Sequence, residues 1–377
     1  MNKQPFLPAR PTSSLAFLAF AFWIVGFHAS CLEAFAPNVV GATRQHSRHL
    51  PLSMATEEKQ QETKKQVAPQ YEKIMARLSK AESVAKGTVL LHIEAEGDDE
   101  WDYEPGHVLA LEIQGDPKDK STHTYEDTQK NNGWMRGPYT VSSSKSSKEL
   151  QVLLKLVGEK SQAFADAPKG TPIKVGGKFK VPIVEGIDVD TTSQVVLLST
   201  GVGVGPCVGA MEQVVQNKLA CNEPFPPIHL VASFRTEDEI ALADKLNQWQ
   251  KEYPNQISWT PVTTNSSDDN DNGGRISSSV ERLQECLTAS NTIDSLLDLQ
   301  STHFHLIGNG GLVYEFQKGL EQAGIPNEKV TLEVYFGHQT KPKEETVDII
   351  AKAIQGLSRS SSGGAKKEKE MSSASSQ

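Results

Sequence analysis

Gln194–Cys207, read as QVVLLS, TGVGVGP and C, sets the architecture of the chain. The run QVVLLS has the length and continuous apolar character of a strand buried on both faces. The turn Thr200-Gly201-Val202-Gly203-Val204-Gly205-Pro206 follows, and the spacing beyond it predicts a helix from Cys207 to about Lys218. Glycines let a backbone approach a pyrophosphate closely. A helix start offers that anion N–H groups and the positive end of the helix dipole. The spacing is not that of the common dinucleotide fingerprint. The next strand also ends Ser233-Phe234-Arg235, with no acid placed for a ribose.

Downstream, strands are expected at Ile228–Ser233, Ile257–Val262, His303–Ile307 and Val330–Phe336, with helices at Glu237–Gln250 and Leu312–Ala323. Strands alternating with helices imply a parallel sheet covered on both faces. Thr263–Gly274 (TTNSSDDNDNGG) reads as a polar insertion, and residues 341–377 as a C-terminal helix with a disordered Ser/Lys/Glu-rich tail. Upstream the rhythm differs. Val89, Leu91 and Ile93 alternate with other residues, and short strands are expected at Val108–Ile113, Tyr139–Ser142, Glu149–Val157 and Thr171–Val175. One short helix, near Ser161–Asp166, interrupts them, and Gly115–Gly133 reads as a long loop. Such a series implies a closed or nearly closed antiparallel barrel. The expected organisation is therefore a barrel over 87–190 followed by a parallel-sheet domain over 191–340. Residues 57–86 read as a linker in which Tyr71, Ile74, Met75 and Leu78 show helical spacing.

At the N-terminus, Lys3 and Arg10 precede the apolar run Leu15–Phe27, which is too short to span a bilayer and suits a signal peptide over 1–34. Residues 35–56 contain no acid but include Arg44, Arg48, Ser and Thr, the composition of a transit peptide. Together they resemble the bipartite leader of complex plastids, so a plastid location and no mature transmembrane segment are expected. The formal net charge of −9 over 377 residues argues against nucleic-acid binding. Cys31, Cys207, Cys221 and Cys286 are not spaced for a metal knuckle. His303 and His305 alternate on one strand without a third ligand nearby, so no metal site is expected.

The Gly turn is similar to the T-G-x-G-x-x-P loop of the ferredoxin–NADP reductase superfamily, and five other segments match that family in its order. Pro105-Gly106-His107 resembles its P-G-Q, and Arg136-Gly137-Pro138-Tyr139-Thr140-Val141-Ser142 its R-x-Y-[ST]. Gly158-Glu159-Lys160-Ser161 resembles G-x-x-S, Ile307-Gly308-Asn309-Gly310-Gly311 resembles C-G-x-x-G-M, and Glu333-Val334-Tyr335 resembles E-x-[YF]. The resemblance covers roughly Gly87 to Gly337. It implies an N-terminal Greek-key FAD-binding barrel, an NAD(P)-binding sheet, and electron transfer between NAD(P)H and FAD.

Taken alone, Tyr139 and Thr140 read as ordinary strand residues, and Gly158 as a turn residue. The resemblance implies that Tyr139 packs on the flavin ring and that Thr140 faces its hydride-accepting nitrogen. Arg136, with Val141, Ser142, Gly158, Lys160 and Ser161 nearby, is implied to hold the FAD. Thr200, Gly201, Val202, Gly203, Pro206, Arg235, Gly308, Asn309 and Gly310 are implied to bind the dinucleotide. Glu333 and Tyr335 are implied to lie beside the flavin with Thr140 as the catalytic group. The chain departs from the pattern in three places. Arg136 lies three residues before Tyr139 rather than two, so either a bulge restores its reach or another residue holds the phosphate. Ile307 stands where the family has cysteine, and the chain continues past Tyr335. Arg235-Thr236-Glu237-Asp238-Glu239 is similar to the NADH-using branch, whose acids repel a ribose phosphate. The expected acceptor is a ferredoxin, a haem protein or a small molecule. Lys155, Lys169, Lys174, Lys178 and Lys180 are a candidate docking face, although a solvated lysine face is the plainer reading of them. The alternative class is a non-catalytic, nucleotide-binding regulatory subunit.

Overall fold

The structure, a computed structural model, describes residues 73–97, 101–114, 133–145, 149–265, 275–289, 298, 300–335 and 341–357. The leader segments, the centre of the Gly115–Gly133 loop, residues 266–274 of the polar insertion and the tail from residue 358 lie outside the described residues.

The antiparallel sheet begins earlier than the sequence suggests. Strand β1 (Ile74–Ala85) occupies the segment expected to be a linker with helical turns. Its true period is two: Ala76 and Leu78 are buried while Met75 is exposed. Four apolar residues fit a helix and a strand equally, and the pairing partners decide. Leu78 faces Ile93, and Ala76 is sandwiched between Ala95 and Ile173. The sheet continues through β2 (Thr88–Ala95), β3 (His107–Gln114), β4 (Trp134–Thr140), β5 (Leu150–Lys155) and β6 (Pro172–Lys180). Its order is β4-β3-β6-β1-β2-β5, and a bridge between Val141 and Val152 joins the two edges, curling the sheet into a barrel. Helix α1 (Glu159–Asp166) closes one end with the fully buried Phe164. Pro138 sits in β4, where its missing N–H is tolerated because β4 is an edge strand.

The parallel sheet comprises β7 (Gln194–Thr200), β8 (Ile228–Phe234), β9 (Ile257–Thr263), β10 (Thr302–Asn309) and β11 (Val330–Tyr335), in the order β11-β10-β7-β8-β9. Helices α2 (Val204–Asn217), α3 (Ala243–Glu252), α4 (Val280–Thr288) and α5 (Gly310–Ala323) connect or cover the strands, and residues 344–357 form α6. The chain leaves β7 toward β8 on one side and returns as β10 on the other. A topological switch point therefore lies between β7 and β10. Two helices differ from expectation. The segment 237–250 is broken, with a short 3₁₀ turn at Glu237–Glu239 and Leu242 at φ +62° before α3. Helix α4 follows the polar insertion, capped by Ser279, whose hydroxyl accepts from Arg282 N at 3.1 Å.

One apolar cluster bridges the barrel and the sheet, beside a separate core inside the barrel. Leu90 and Leu153 of the barrel pack with Val204, Cys207 and Val208 of α2. Gly205 and Gly209 make this approach possible. A Cβ on Gly209 would lie 2.7 Å from the backbone carbon of Ser142, and one on Gly205 would lie 2.5 Å from Ser142 Oγ. Gly209→Ala should therefore push α2 off the β4–β5 connection and lower the unfolding free energy by about 1–3 kcal/mol. A reduced urea midpoint is the expected readout, and an unchanged midpoint would show that the two units do not pack this way.

Candidate functional site

A cavity of about 1220 Å³ opens along the free edge of β4. That exceeds the usual range for small-ligand pockets, about 300–1,000 Å³. The β4 residues Arg136 to Thr140 form one wall, the β5–α1 turn another, and the end of β11 a third, with Val202 reaching in from the Gly turn.

The register of β4 settles how its side chains are aimed. Pairing with β3 runs without interruption from Thr140 opposite Val108 to Trp134 opposite Gln114. No bulge brings Arg136 back to the side of Tyr139, contrary to the bulge suggested by the sequence. Alternation puts Arg136, Pro138 and Thr140 on one face, and Gly137 and Tyr139 on the other. The cavity wraps around the edge and takes in both sets. Tyr139 stands edge-on to Phe164, 5.5 Å between ring centres, and burial pushes its phenol up to about 12. Gly137 leaves the space for this ring, since a Cβ there would meet it at 2.7 Å. The exposed Arg136 reaches Glu112 only at 3.8 Å, while Lys73 holds the same carboxylate at 2.7 Å.

The β5–α1 turn is fixed by Ser161. Its hydroxyl accepts from Val157 N and Gly158 N, at 3.0 and 3.2 Å, and donates to Gly158 O at 2.8 Å. The serine thus shapes the turn rather than facing the cavity with a free hydroxyl. Gly158 meets nothing within 4 Å of a Cβ position, so the backbone is open on the cavity side. Lys155 and Lys160 add positive charge to this wall, with Lys155 also 3.3 Å from Glu239.

Where the two sheets meet, Thr140 Oγ1 donates to Glu333 Oε1 at 2.5 Å. Glu333 is only 6% exposed, and its Oε2 has no protein partner. Burial pushes this carboxyl up to about 7, against the opposing pull of the Thr140 hydrogen bond. Burial and the Glu333 charge also raise the Tyr335 hydroxyl and the Cys207 thiol, which keeps both protonated. Cys207 is a packed core residue of α2. Among the described residues no group of His, Cys, Asp and Glu could hold a metal.

Of the expected flavin residues, Arg136, Tyr139, Thr140, Gly158, Lys160, Ser161, Glu333 and Tyr335 line the cavity. Val141 and Ser142 do not. Val141 forms the bridge that closes the barrel, and Ser142 Oγ accepts from Leu153 N at 3.2 Å. The dinucleotide set, apart from Val202, lies outside the cavity, around the carboxyl ends of β7, β8 and β10. Asn309 N donates to Thr200 Oγ1 at 2.8 Å, and Gly311 N donates to Asn309 Oδ1 at 2.9 Å. Gly308 at φ +130° permits this contact, since a Cβ there would meet Thr200 Oγ1 at 2.0 Å. Thr200–Gly203 and Gly308–Gly310 are thereby stitched together over the switch point, beside Pro206 in the buried first turn of α2. Arg235 lies exposed beyond β8.

Three of the lysines proposed as a docking face are engaged. Lys180 pairs with Glu104 and Glu185, Lys155 with Glu239, and Lys174 lies 3.7 Å from the Trp134 ring centre. Sequence reasoning missed the apolar lining from Val108, Leu153, Phe179 and Val181. Phe179, 60% exposed, was the legible signal: a large aromatic in the strand-end sequence GGKFKVP. Among the described residues no helix is long and apolar enough to cross a membrane.

Residues 197–317 match the family model of the oxidoreductase NAD-binding domain. No curated protein matches the chain. Similar solved structures include a ferredoxin NADP+ reductase from Neisseria gonorrhoeae with bound FAD and NADP. It shares 18% identity at a TM-score of 0.54, over 70% of this chain and 99% of that one. The ferredoxin-NADP+ reductase of Plasmodium falciparum with 2'P-AMP gives 17% identity and a TM-score of 0.54, over 70% and 96%. A flavohemoglobin from Malassezia yamatoensis with bound FAD and heme gives 17% and 0.51, over 70% of this chain but only 60% of its own length. At these identities the likeness is one of fold. The chain thus has the two-domain fold of the ferredoxin–NADP reductases, with an oxidoreductase NAD-binding domain at residues 197–317.

Proposed function

We propose that the protein is a flavin-dependent NAD(P)H oxidoreductase, with FAD held in the β4-edge cavity and the dinucleotide at the switch point between β7 and β10. One observation carries this reading: Thr140 of the barrel and Glu333 of the parallel sheet meet inside the cavity that Val202 of the Gly turn also lines. The residues fit the group. The cavity is large, mostly apolar, flanked by Arg136, Lys155 and Lys160 for a diphosphate, and walled by Tyr139 and Tyr335. Bound there, an isoalloxazine would accept hydride from nicotinamide and release electrons to an acceptor.

The chain's own residues orient the reactants, exclude water and handle a proton. Thr140 presents a hydroxyl that both donates and accepts. Glu333, held near neutrality by burial, can reload that hydroxyl with a proton at physiological pH. Ile307, in place of the family's cysteine, packs in the core beneath the site. The choice between NADH and NADPH is more open than the sequence suggests. Lys86 pairs with Asp238 at 2.8 Å, and Lys155 with Glu239, so both acids have neighbouring cations that offset their repulsion of a phosphate. The engaged lysines and the net charge of −9 favour a small-molecule or haem-protein acceptor over an acidic ferredoxin.

The purified protein supplied with FAD should turn yellow and bleach under anaerobic NADH or NADPH. Thr140→Ala should slow bleaching by up to about 10²-fold, the scale of misplacing the reacting atoms once the hydroxyl that orients the flavin is lost. A protein that stays colourless with FAD would leave the non-catalytic reading standing.

Glu333 also makes stability depend on pH. Its folded-state value lies above the unfolded one, so its contribution is fully present below about 4.5 and is lost as pH rises through about 7. Compared with Glu333→Gln, the native protein should lose up to about 3 kcal/mol between pH 5 and 8. Parallel unfolding profiles for the two proteins would show that the carboxyl is not held up by burial.

A further inference from the structure

The 3₁₀ turn Glu237–Glu239 follows the carboxyl end of β8, the strand beside β7. In parallel dinucleotide-binding sheets the residues beyond that second strand meet the ribose 2′ position, where an acid selects a hydroxyl and an arginine accepts a phosphate. This chain places both kinds of residue there. Arg235 is exposed, and its main chain is fixed by Asn265 N, which donates to Arg235 O at 2.8 Å. Glu237, Asp238 and Glu239 come next, so the turn by itself carries more negative than positive charge.

The barrel changes that balance. Its β1–β2 turn and the end of β5 reach the same place. Lys86 N donates to Asp238 O at 2.8 Å, which fixes the two turns against one another through main-chain atoms alone. The side chains add charge. Lys86 Nζ lies 2.8 Å from Asp238 Oδ2. Lys155 Nζ lies 3.3 Å from Glu239 Oε2 and donates to Lys86 O at 3.2 Å. The Lys86–Asp238 hydrogen bond holds the lysine above and the aspartate below its ordinary range, so both are charged at neutral pH. Thr236 Oγ1 donates to Asp238 Oδ1, so each oxygen of that carboxylate already has a partner. Lys86 and Lys155 therefore offset Asp238 and Glu239, and Arg235 offsets Glu237. An exposed ion pair stabilises a fold little, whereas cancelled charge acts on any anion brought to the turn.

We propose that the barrel sets the coenzyme: Lys86 and Lys155 neutralise Asp238 and Glu239, and Arg235 then receives the 2′-phosphate of NADPH. The inference rests on the dinucleotide lying at the switch point between β7 and β10, and it narrows that reading to one coenzyme. It reverses the expectation drawn from the acidic run, because the acids that would repel a phosphate are answered from the other domain. A guanidinium pairs with phosphate through two parallel hydrogen bonds, which suits Arg235 to the role. Lys86 touches no reacting atom in this scheme and acts through the charge of Asp238.

Titration calorimetry with 2′-phospho-AMP and with AMP, on the full chain supplied with FAD at low salt, tests the proposal. The native protein should bind 2′-phospho-AMP at least about tenfold more tightly than AMP. Lys86→Met removes the ammonium and keeps the main-chain bond. It should weaken 2′-phospho-AMP by about three- to tenfold, leave AMP unchanged, and lose most of this effect in about 1 M salt. Lys86→Met with Asp238→Asn removes both charges and should recover the native affinity to within about twofold. With FAD bound, Lys86→Met should raise the KM for NADPH while kcat and the NADH kinetics stay unchanged. Equal binding of the two nucleotides by the native protein overturns the proposal. So does equal weakening of both in Lys86→Met, or a loss that Asp238→Asn does not repair. If neither nucleotide binds, the dinucleotide site itself fails and the proposal with it. A protein that stays colourless with FAD but shows the calorimetric pattern contradicts only the flavin reading.

Discussion

Glu333 lies in the edge strand of the parallel sheet, Thr140 at the end of the barrel's edge strand, and a single hydrogen bond spans the 193 residues between them. Everything at the site follows from bringing these two ends together. The barrel contributes a hydroxyl on an open strand edge, and the sheet contributes a carboxyl whose burial holds it near neutrality. Neither sheet alone encloses a cavity with that pair on its wall.

The contact depends on close packing elsewhere. Glycines at 205 and 209 let α2 lie against the Ser142 backbone, and the Leu90–Leu153–Val208 core makes the barrel and the sheet a continuous apolar body. Beside the cavity wall, Lys86 N donates to Asp238 O at 2.8 Å, tying the β1–β2 turn to the 3₁₀ turn beyond β8. Pro138 and Gly137 keep the free edge of β4 from recruiting a further strand, which leaves that edge open as a binding wall.

The parallel sheet was legible because strands buried on both faces are continuous apolar runs, and QVVLLS admits no other strong reading. The resemblance singled out Glu333 and Thr140, and the structure places the two in hydrogen-bond contact on the cavity wall. Strand β1 was not legible, since Ile74, Met75 and Leu78 satisfy two periods and only the partners Ile93 and Ile173 choose between them. The opposed aims of Arg136 and Tyr139 were hidden for a related reason: an unbroken register cannot be told from a bulged one without the partner strand. Phe179, Val108 and Val181 entered the cavity only through the curl of the sheet. His303 and His305 were visible as two histidines on one face, but their contacts with Thr331 needed the β10–β11 pairing.

The central claim is that the barrel and the parallel sheet are coupled through Thr140 and Glu333. A double-mutant cycle on unfolding free energy, using Thr140→Val, Glu333→Gln and the pair, measures that coupling directly. The account predicts an interaction of about 1 kcal/mol or more, in the range for contacting residues. Single effects that add to within about 0.3 kcal/mol would contradict it.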